Sequence, residues 1–470
     1  MSFLQDNILK NLPKGLQVSR ERLSGWGRYA YVDCVVVSPK NLDELRDLLT
    51  ICAANQYSIT PKGSGCSFGD IITNGQGVVL DLTSWDKIIR FDSTTGILTT
   101  QGGTSAGKVL HHTLPHHWVL RGLPGTSFGT MSGLIANNVH GKDSFKNGNF
   151  GMGVLSMQIL LADGRVVRAS ANENADVFYA TIGGMGLLGI IIEATLQLIK
   201  IPGSMVEIER KYFNSIPELF DLFTNLTDDF DMDMGWFDGF HKKGRGIFQT
   251  AKWLNQDPEI TPPSMESVGK KFMGKIPIGL VYPLVKPFAC RTSMRALNQL
   301  AYWGSKTSKD KKILHLYSYY YPHMISIPDS PKAIRGGLVG FQLIAPDEKA
   351  CEFITNILAL CRRYKLESWF GGIKRLRSDP FLMSFAEDGY AITVEIPGRF
   401  TKWRRFPSFL DEMVALTIDY KGKIFLGKDS LLKPAHIRAM YPKLPDFLAV
   451  RQKMDPHKIF GSDLSRRLFL

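Results

Sequence analysis

Two stretches crowded with small residues limit what this chain can fold into. Pro61–Asp70 reads PKGSGCSFGD, and Leu123–Lys142 reads LPGTSFGTMSGLIANNVHGK. Glycine lacks a Cβ, so such backbone can turn with φ > 0 and bring its N–H groups close to a ligand. Amides clustered in this way suit an anion with several oxygens, above all a diphosphate. The first cluster (Gly63, Gly65, Gly69) runs on to a strand at Val78–Leu82, whereas a Rossmann turn must open a helix. A third run holds Gly184, Gly186 and Gly189 and matches G-x-G-x-x-G in form. It leads from a helical stretch, DVFYATIG, into a strand, IIIEATLQLI, which is the reverse of the Rossmann order. A helix-to-strand turn can still approach a cofactor closely.

The elements around these turns follow from periodicity. Cys34–Val37 predicts a strand, and Asn41 with Glu44 three residues on predicts a capped helix whose apolar face is Leu45, Leu48, Leu49 and Cys52. A hairpin at Ile88–Phe91 and Ile97–Gln101 comes next, then a helix over Ser105–Thr113 and a strand at Trp118–Leu120. A strand near Met157–Leu161 ends at an Asp163-Gly164 turn. His111, His112, His116 and His117 flank a proline turn with no carboxylate nearby, so they read as surface residues and predict no metal site. The character changes near residue 205. Trp236–Phe237, Tyr317–Tyr321 and Ala391–Ile396 predict an antiparallel sheet with helices on one face. Pro263–Trp303 mixes apolar residues with Lys270, Lys271, Lys275, Lys286, Arg291 and Arg295 against a single acid, Glu266. It reads either as a surface loop or as a lid that touches a membrane or a lipid tail.

A length of 470 residues predicts two domains, and 44% hydrophobic residues exclude extended disorder. The net charge of +13 admits nucleic acid, an anionic membrane or an anionic substrate. Nucleic acid is set aside, because no helix carries a Lys/Arg stripe and no binding module is recognisable. Six cysteines without CxxC spacing read as free thiols in a reducing compartment. The N-terminus has no basic segment leading into an apolar run, and no window reaches the roughly 18 apolar residues of a membrane span. The expectation is a soluble cytoplasmic protein whose membrane contact, if any, is peripheral.

Together with TIGGMGLLGI and the closing DPHKIFGSD, the two opening motifs resemble the vanillyl-alcohol oxidase family of FAD-dependent oxidoreductases, over nearly the whole chain. RLSGWGR, HGK (140–142), WFD (236–238), YYYP, GFQLIAP, GKDS (427–430) and SDLSRR are similar to the branch that acts on a polyprenylphosphoryl ribose. The resemblance implies an α+β, two-domain PCMH-type FAD-binding fold. Residues 1–205 and 421–470 would form the FAD-binding domain, with an antiparallel-sheet substrate domain, 206–420, inserted between them. It implies FAD contacts from Pro61, Lys62, Gly63, Ser64, Gly65, Cys66, Ser67 and Phe68 in the first loop. The second stretch would add Gly125, Thr126, Gly129, Thr130, Gly133, Ala136, Asn137, His140, Gly141 and Lys142, and the third Gly184, Gly189 and Ile190, with Lys428 completing the set. His140, Lys374 and Lys428 would be catalytic; Trp236, Tyr320, Gln342, Lys374, Thr393 and Phe425 would line the substrate side. Cys66 stands where several family members attach flavin through a histidine, so noncovalent FAD is expected. Thr393 replaces a cysteine, and Phe425 and Phe68 replace tyrosines, which bears on the sugar or lipid more than on the reaction type.

Oxidising a secondary alcohol with a flavin needs hydride delivery to N5, a cation near the N1–C2 carbonyl side, and an acceptor for the hydroxyl proton. Lys428, in a Gly-Lys-Asp turn after a strand, suits either of the last two roles; the plainer reading is a surface lysine beside Asp429. Lys374 suits a phosphate or sugar hydroxyls, or is a strand-edge lysine that deters pairing. His140 alternatively caps a turn, and Tyr319–Tyr321 alternatively fill a core. The function expected from the resemblance is oxidation of the 2′-hydroxyl of a polyprenylphosphoryl-β-D-ribose to the 2′-keto sugar. A separate NAD(P)H-dependent short-chain reductase would then complete epimerisation to the arabinose lipid used in cell-wall arabinan. The alternative is an aldonolactone or sugar-alcohol oxidase or dehydrogenase with a soluble substrate.

Overall fold

The computed structural model describes residues 3–13, 15–225, 230–255 and 270–469. The first sheet orders its strands Gln17–Leu23, Val32–Ser38, Val78–Asp81, Ile59–Lys62, with the last three parallel to one another. The helix Leu42–Ala54 starts as predicted: the Asn41 side chain accepts from the Glu44 N–H at 2.9 Å. Its apolar face shares a core with Val35, Val37 and Leu80. A second, five-stranded antiparallel sheet orders Ile88–Asp92, Ile97–Gln101, Ile190–Gln197, Val154–Leu160, Val166–Ser170.

The largest sheet among the described residues is antiparallel and eight-stranded. Its order is Lys311–His315, Met205–Phe213, Gly246–Trp253, Met232–Phe237, Gly372–Leu376, Gly389–Pro397, Leu338–Pro346, Lys423–Ile424. Phe341, Leu343, Ile392 and Val394 point to one face, where they share a core with Phe353, Ile354 and Ile357 of the helix Asp347–Arg363. Strand alternation therefore turns Gln342, Thr393, Lys374 and Trp236 to the opposite face. Mixed helix and sheet with several antiparallel sheets agrees with the α+β expectation.

Two expectations are corrected. Tyr317–Tyr321 is not a strand: Leu316–Tyr320 is a short helix, with the His315 ring accepting from the Tyr317 N–H at 3.2 Å. That cap and Pro322, which opens the next helix, outweigh tyrosine's preference for strands. The segment read as a loop or lid is largely helical where described. A short hairpin (Lys271–Phe272 with Ile276–Pro277) precedes helices Ile278–Val285 and Arg291–Lys306. Residues 263–269 of that segment lie outside the described residues.

Candidate active site

The chain's end is fastened to the first glycine loop, which explains two distant motifs at once. In DPHKIFGSD, the Asp455 carboxylate accepts from the N–H groups of Ile459 (2.8 Å) and Phe460 (2.7 Å). This turn lays Phe460 alongside Ile59, and the Ile59 N–H donates to the Ile459 carbonyl at 2.6 Å. In SDLSRR, Arg467 pairs with Asp70 (2.8 Å) at the end of the glycine loop and with Asp429 (2.9 Å), the residue after Lys428. The Phe68 N–H also donates to the Gly427 carbonyl at 3.0 Å, and a Cβ at Gly69 would overlap the Asp429 carbonyl oxygen. RLSGWGR completes the joint, with the Trp26 N–H on the Ser67 carbonyl at 2.7 Å.

All three glycine runs converge. The Ser64 hydroxyl donates to the Phe128 carbonyl at 2.5 Å, the Cys66 Sγ lies 3.9 Å from the Thr126 hydroxyl, and Gly63 has its Cβ space filled by Thr130. Gly65 turns with φ +72°, which favours glycine. Thr130 caps the helix Met131–Ala136, accepting from the Gly133 N–H. The third run joins the end of that helix: the Gly183 N–H donates to the Ile135 carbonyl (3.0 Å) and the Met185 N–H to the Ala136 carbonyl (2.8 Å). Gly186 faces Pro61, and Gly184 lies in the same turn. Gly189 and Ile190 do not join this cluster; they start a strand packed on Ile159 and Leu160.

This arrangement fits a dinucleotide. Gly125 is exposed with no atom within 4 Å of the position a Cβ would take. Asn137 Oδ1 is buried without a partner, and Asn137 lines a small cavity with Gly183, Met185, Phe425 and Gly427. An open cradle of small residues and an orphaned acceptor are what a bound ligand with its own donors would complete. Burial pushes the Cys66 thiol up, so it is protonated near neutral pH.

Beyond the cradle, the open sheet face holds a cluster of cations. Gln342 lies opposite Thr393, Lys374 opposite Ala391, and Trp236 opposite Gly372. As oriented, Gln342 Nε2 donates to His140 Nε2 at 2.7 Å, which leaves the ring proton on Nδ1. His140 is buried between Phe385 and Phe425; burial, then Lys374 and Lys428, hold its pKa well below the usual value. Burial and the charge of Lys428 bring Lys374 down to about 8, with Asp143 and Asp233 acting in the opposite sense. Burial and Lys374 bring Lys142 down to about 7; its ammonium donates to the Tyr319 carbonyl and sits 3.9 Å from that ring's centroid. Lys428 pairs with Glu395 at 3.1 Å and lies 5.1 Å from the Phe68 ring centroid.

Comparison with known proteins accords with this geometry. Residues 34–170 match a family model described as an FAD binding domain, and residues 377–468 match one described as D-arabinono-1,4-lactone oxidase. The chain is an FAD-dependent oxidoreductase acting on CH–OH groups. The FAD-binding domain is of the PCMH type, as the motifs imply. The oxidoreductase is 27% identical to decaprenylphosphoryl-β-D-ribose oxidase of Mycolicibacterium smegmatis over 460 residues, covering 96% of this chain and 98% of that protein. It is 24% identical to L-gulono-1,4-lactone dehydrogenase of Mycobacterium tuberculosis over 455 residues, covering 95% and 98%. L-gulonolactone oxidase of Bos taurus is 26% identical over 180 residues, covering 38% of this chain and 40% of that enzyme.

Three residues of this oxidoreductase's site escape a reading of the sequence. Glu395 lies in the strand read from AITVEI, and its alternation with Thr393 could have put it on the open face. Asp233 is buried with neither carboxylate oxygen partnered, and burial pushes it up to about 8; nothing in DMDMGWF separates it from its acidic neighbours. Phe385 packs on His140 from a loop that gives no sequence signal. The aromatic nearest Lys142 is Tyr319; Tyr320 is farther, at 5.8 Å.

Proposed function

We propose that the enzyme oxidises a secondary hydroxyl of a sugar carrying an anionic lipid phosphate, the 2′-hydroxyl of a polyprenylphosphoryl-β-D-ribose, to the 2′-keto sugar. The observation that carries this reading is the excess of cation over the glycine cradle: Lys374 and Lys428 both act on the buried His140. A neutral lactone has no use for so much positive charge, whereas a phosphate does. FAD held by the glycine turns would supply the hydride acceptor for the oxidation. The chain's residues do the rest. The three glycine turns and Asn137 hold the dinucleotide, and Lys374 meets the phosphate. Neutral His140, held at Nε2 by Gln342, orients the sugar with its Nδ1–H, while the free-amine form of Lys142, whose pKa is about 7, takes up the hydroxyl proton. Lys428, positioned by its pairing with Glu395, stabilises the negative charge that develops. The protonated Cys66 supports noncovalent attachment.

The division into an FAD-binding domain (1–205 with 421–470) and an inserted substrate domain (206–420) belongs to the same proposal. So does a nicotinamide-dependent reductase acting on the keto product, which would make the pair an epimerase supplying the arabinose lipid. A polyprenyl tail would bring the enzyme to a bilayer surface. Because the lactone relatives match as much of the chain, the alternative substrate is a soluble aldonolactone. Mixing the yellow holoenzyme anaerobically with each substrate decides between them. The lipid-linked ribose should bleach the oxidised-flavin band at once; bleaching by L-gulonolactone alone would overturn the proposal.

The phosphate role of Lys374 also predicts a pH dependence. A lysine with a folded pKa of about 8 is a cation below that pH and loses its charge above it. The protonated fraction falls from about 0.9 at pH 7 to about 0.1 at pH 9, so KM for the lipid-linked sugar should rise roughly tenfold. Lys374→Met should have a high KM at both pH values, and KM for a neutral lactone should not follow this trend.

A further inference from the structure

A large apolar surface lies open on helices Ile278–Val285 and Arg291–Lys306 and the turn between them. Leu280 (65% exposed), Leu284 (72%), Phe288 (73%), Leu297 (55%), Leu300 (66%) and Trp303 (53%) all face outward. Scattered exposed leucines are ordinary, but six large apolar side chains within 24 residues form a patch of the kind that marks an interaction surface. These helices are firmly seated. Met294, Asn298 and Tyr302, at i, i+4 and i+8, form the buried side of the second helix. Arg291 Nε donates to Glu367 at 2.8 Å, and the Tyr282 hydroxyl donates to the Pro328 carbonyl. The outward face is therefore apolar on a helix whose inner face is already satisfied.

The charge around the patch selects the partner. From Lys270 to Lys309 the chain carries eight Lys or Arg and no Asp or Glu. Apart from Arg291, these basic side chains are exposed. We propose that this face docks on the surface of an anionic lipid bilayer. Leucine and phenylalanine side chains enter the acyl boundary, Trp303 sits at the headgroup level, and the lysines meet lipid phosphates while their stems cover apolar surface. A second copy of the chain is a poorer occupant, because it brings the same cations against each other.

The docking face is joined to the active site through one segment. The Met273 N–H donates to the Ser326 carbonyl at 2.7 Å, and Tyr282 holds Pro328. From the same segment, Met324 Sδ accepts from the Ser127 N–H (3.3 Å) in the second glycine stretch, and the Tyr319 carbonyl accepts from Lys142. A docked enzyme thus has its cradle and lysine cluster one packed segment away from the bilayer. The inference rests on exposure and charge, not on which alcohol is oxidised.

Holoenzyme sedimented with phosphatidylglycerol–phosphatidylcholine vesicles, without substrate, tests it. The protein should pellet with these vesicles and remain largely in solution with pure phosphatidylcholine, and raised salt should weaken binding. L280S/L284S/F288S should lower the partition coefficient at least tenfold, and K271E/K275E/K286E should remove the preference for anionic lipid. Unchanged flavin spectra and melting curves would show that both variants are folded. The proposal is overturned if both variants bind as the native protein does, if binding ignores lipid charge, or if light scattering shows that the apolar face instead joins two copies. Because no substrate is present, vesicle binding and sugar oxidation fail or succeed separately.

Discussion

Lys428→Met is expected to lower kcat by roughly 100- to 1000-fold while the enzyme stays yellow, the loss typical of removing one preorganised stabiliser of developing charge. The expectation starts from position. Lys428 lies in a turn that the first glycine loop grips through Phe68 N–H and the Gly427 carbonyl, so its ammonium is carried by the same backbone as the cradle. Its partner Glu395 is 12% exposed at the side chain and stands two residues from Thr393 on the open sheet face. Removing the cation alone leaves that carboxylate unpaired, at a cost of roughly 3 kcal/mol, so lost turnover could reflect lost structure. Lys428→Met combined with Glu395→Gln separates the two effects. The double variant should recover the melting temperature of the native enzyme and still turn over as slowly as Lys428→Met. Glu395→Gln alone should keep most of the activity. If the double variant were as active as the native enzyme, Lys428 would be a structural partner of Glu395 and nothing more.

What the sequence discloses here is mostly local. A glycine cluster announces itself within ten residues because the backbone geometry it permits is a property of those residues. Asn41 with Glu44 announces a helix start for the same reason. The third glycine run shows the value of element order: its form matched a Rossmann fingerprint, yet it closes a helix whose end and turn meet the second glycine stretch. Contacts between distant residues are hidden. His140 and Gln342 are 202 positions apart, and the sheet register that brings them together is set by the pairing of strands 338–346 and 389–397. Tyr317–Tyr321 misled because strand propensity is a statement about half-buried surfaces, whereas these residues follow a cap and precede a helix-starting proline. The 263–303 segment hid its helices for another reason. IGLVYPLV is apolar all round and contains Gly279 and Pro283, so no 3.6-residue pattern stands out.

Arg467→Met should be the most destabilising single change in the flavin cradle. Arg467 is the cation between Asp70 and Asp429, and Asp429 is fully buried at the side chain. Burial, and then the repulsion from Asp429, already push the Asp70 carboxyl up against the pull of Arg467. Taking the guanidinium away leaves two carboxylates facing each other without a counter-charge, and breaking a buried pair from one side costs roughly 3–5 kcal/mol. The loss has a sign in pH. Without Arg467 and its opposing pull, the folded-state Asp70 carboxyl titrates further above its unfolded value. Stability then falls as pH rises through the interval between the unfolded and folded pKa values, and is least impaired where that carboxyl can take up a proton. The melting-temperature deficit of the variant should therefore be several degrees at pH 8 and shrink toward pH 5. Because the same clamp joins the end of the first glycine loop to the Lys428 turn, the variant should also release FAD more readily, by tenfold or more in Kd. Arg467→Lys, which restores one charge but not the fork that reaches both acids, should recover part of the stability and less of the FAD affinity. A variant as stable as the native protein across this range would mean that the tail arginine merely decorates a cradle held by its backbone bonds.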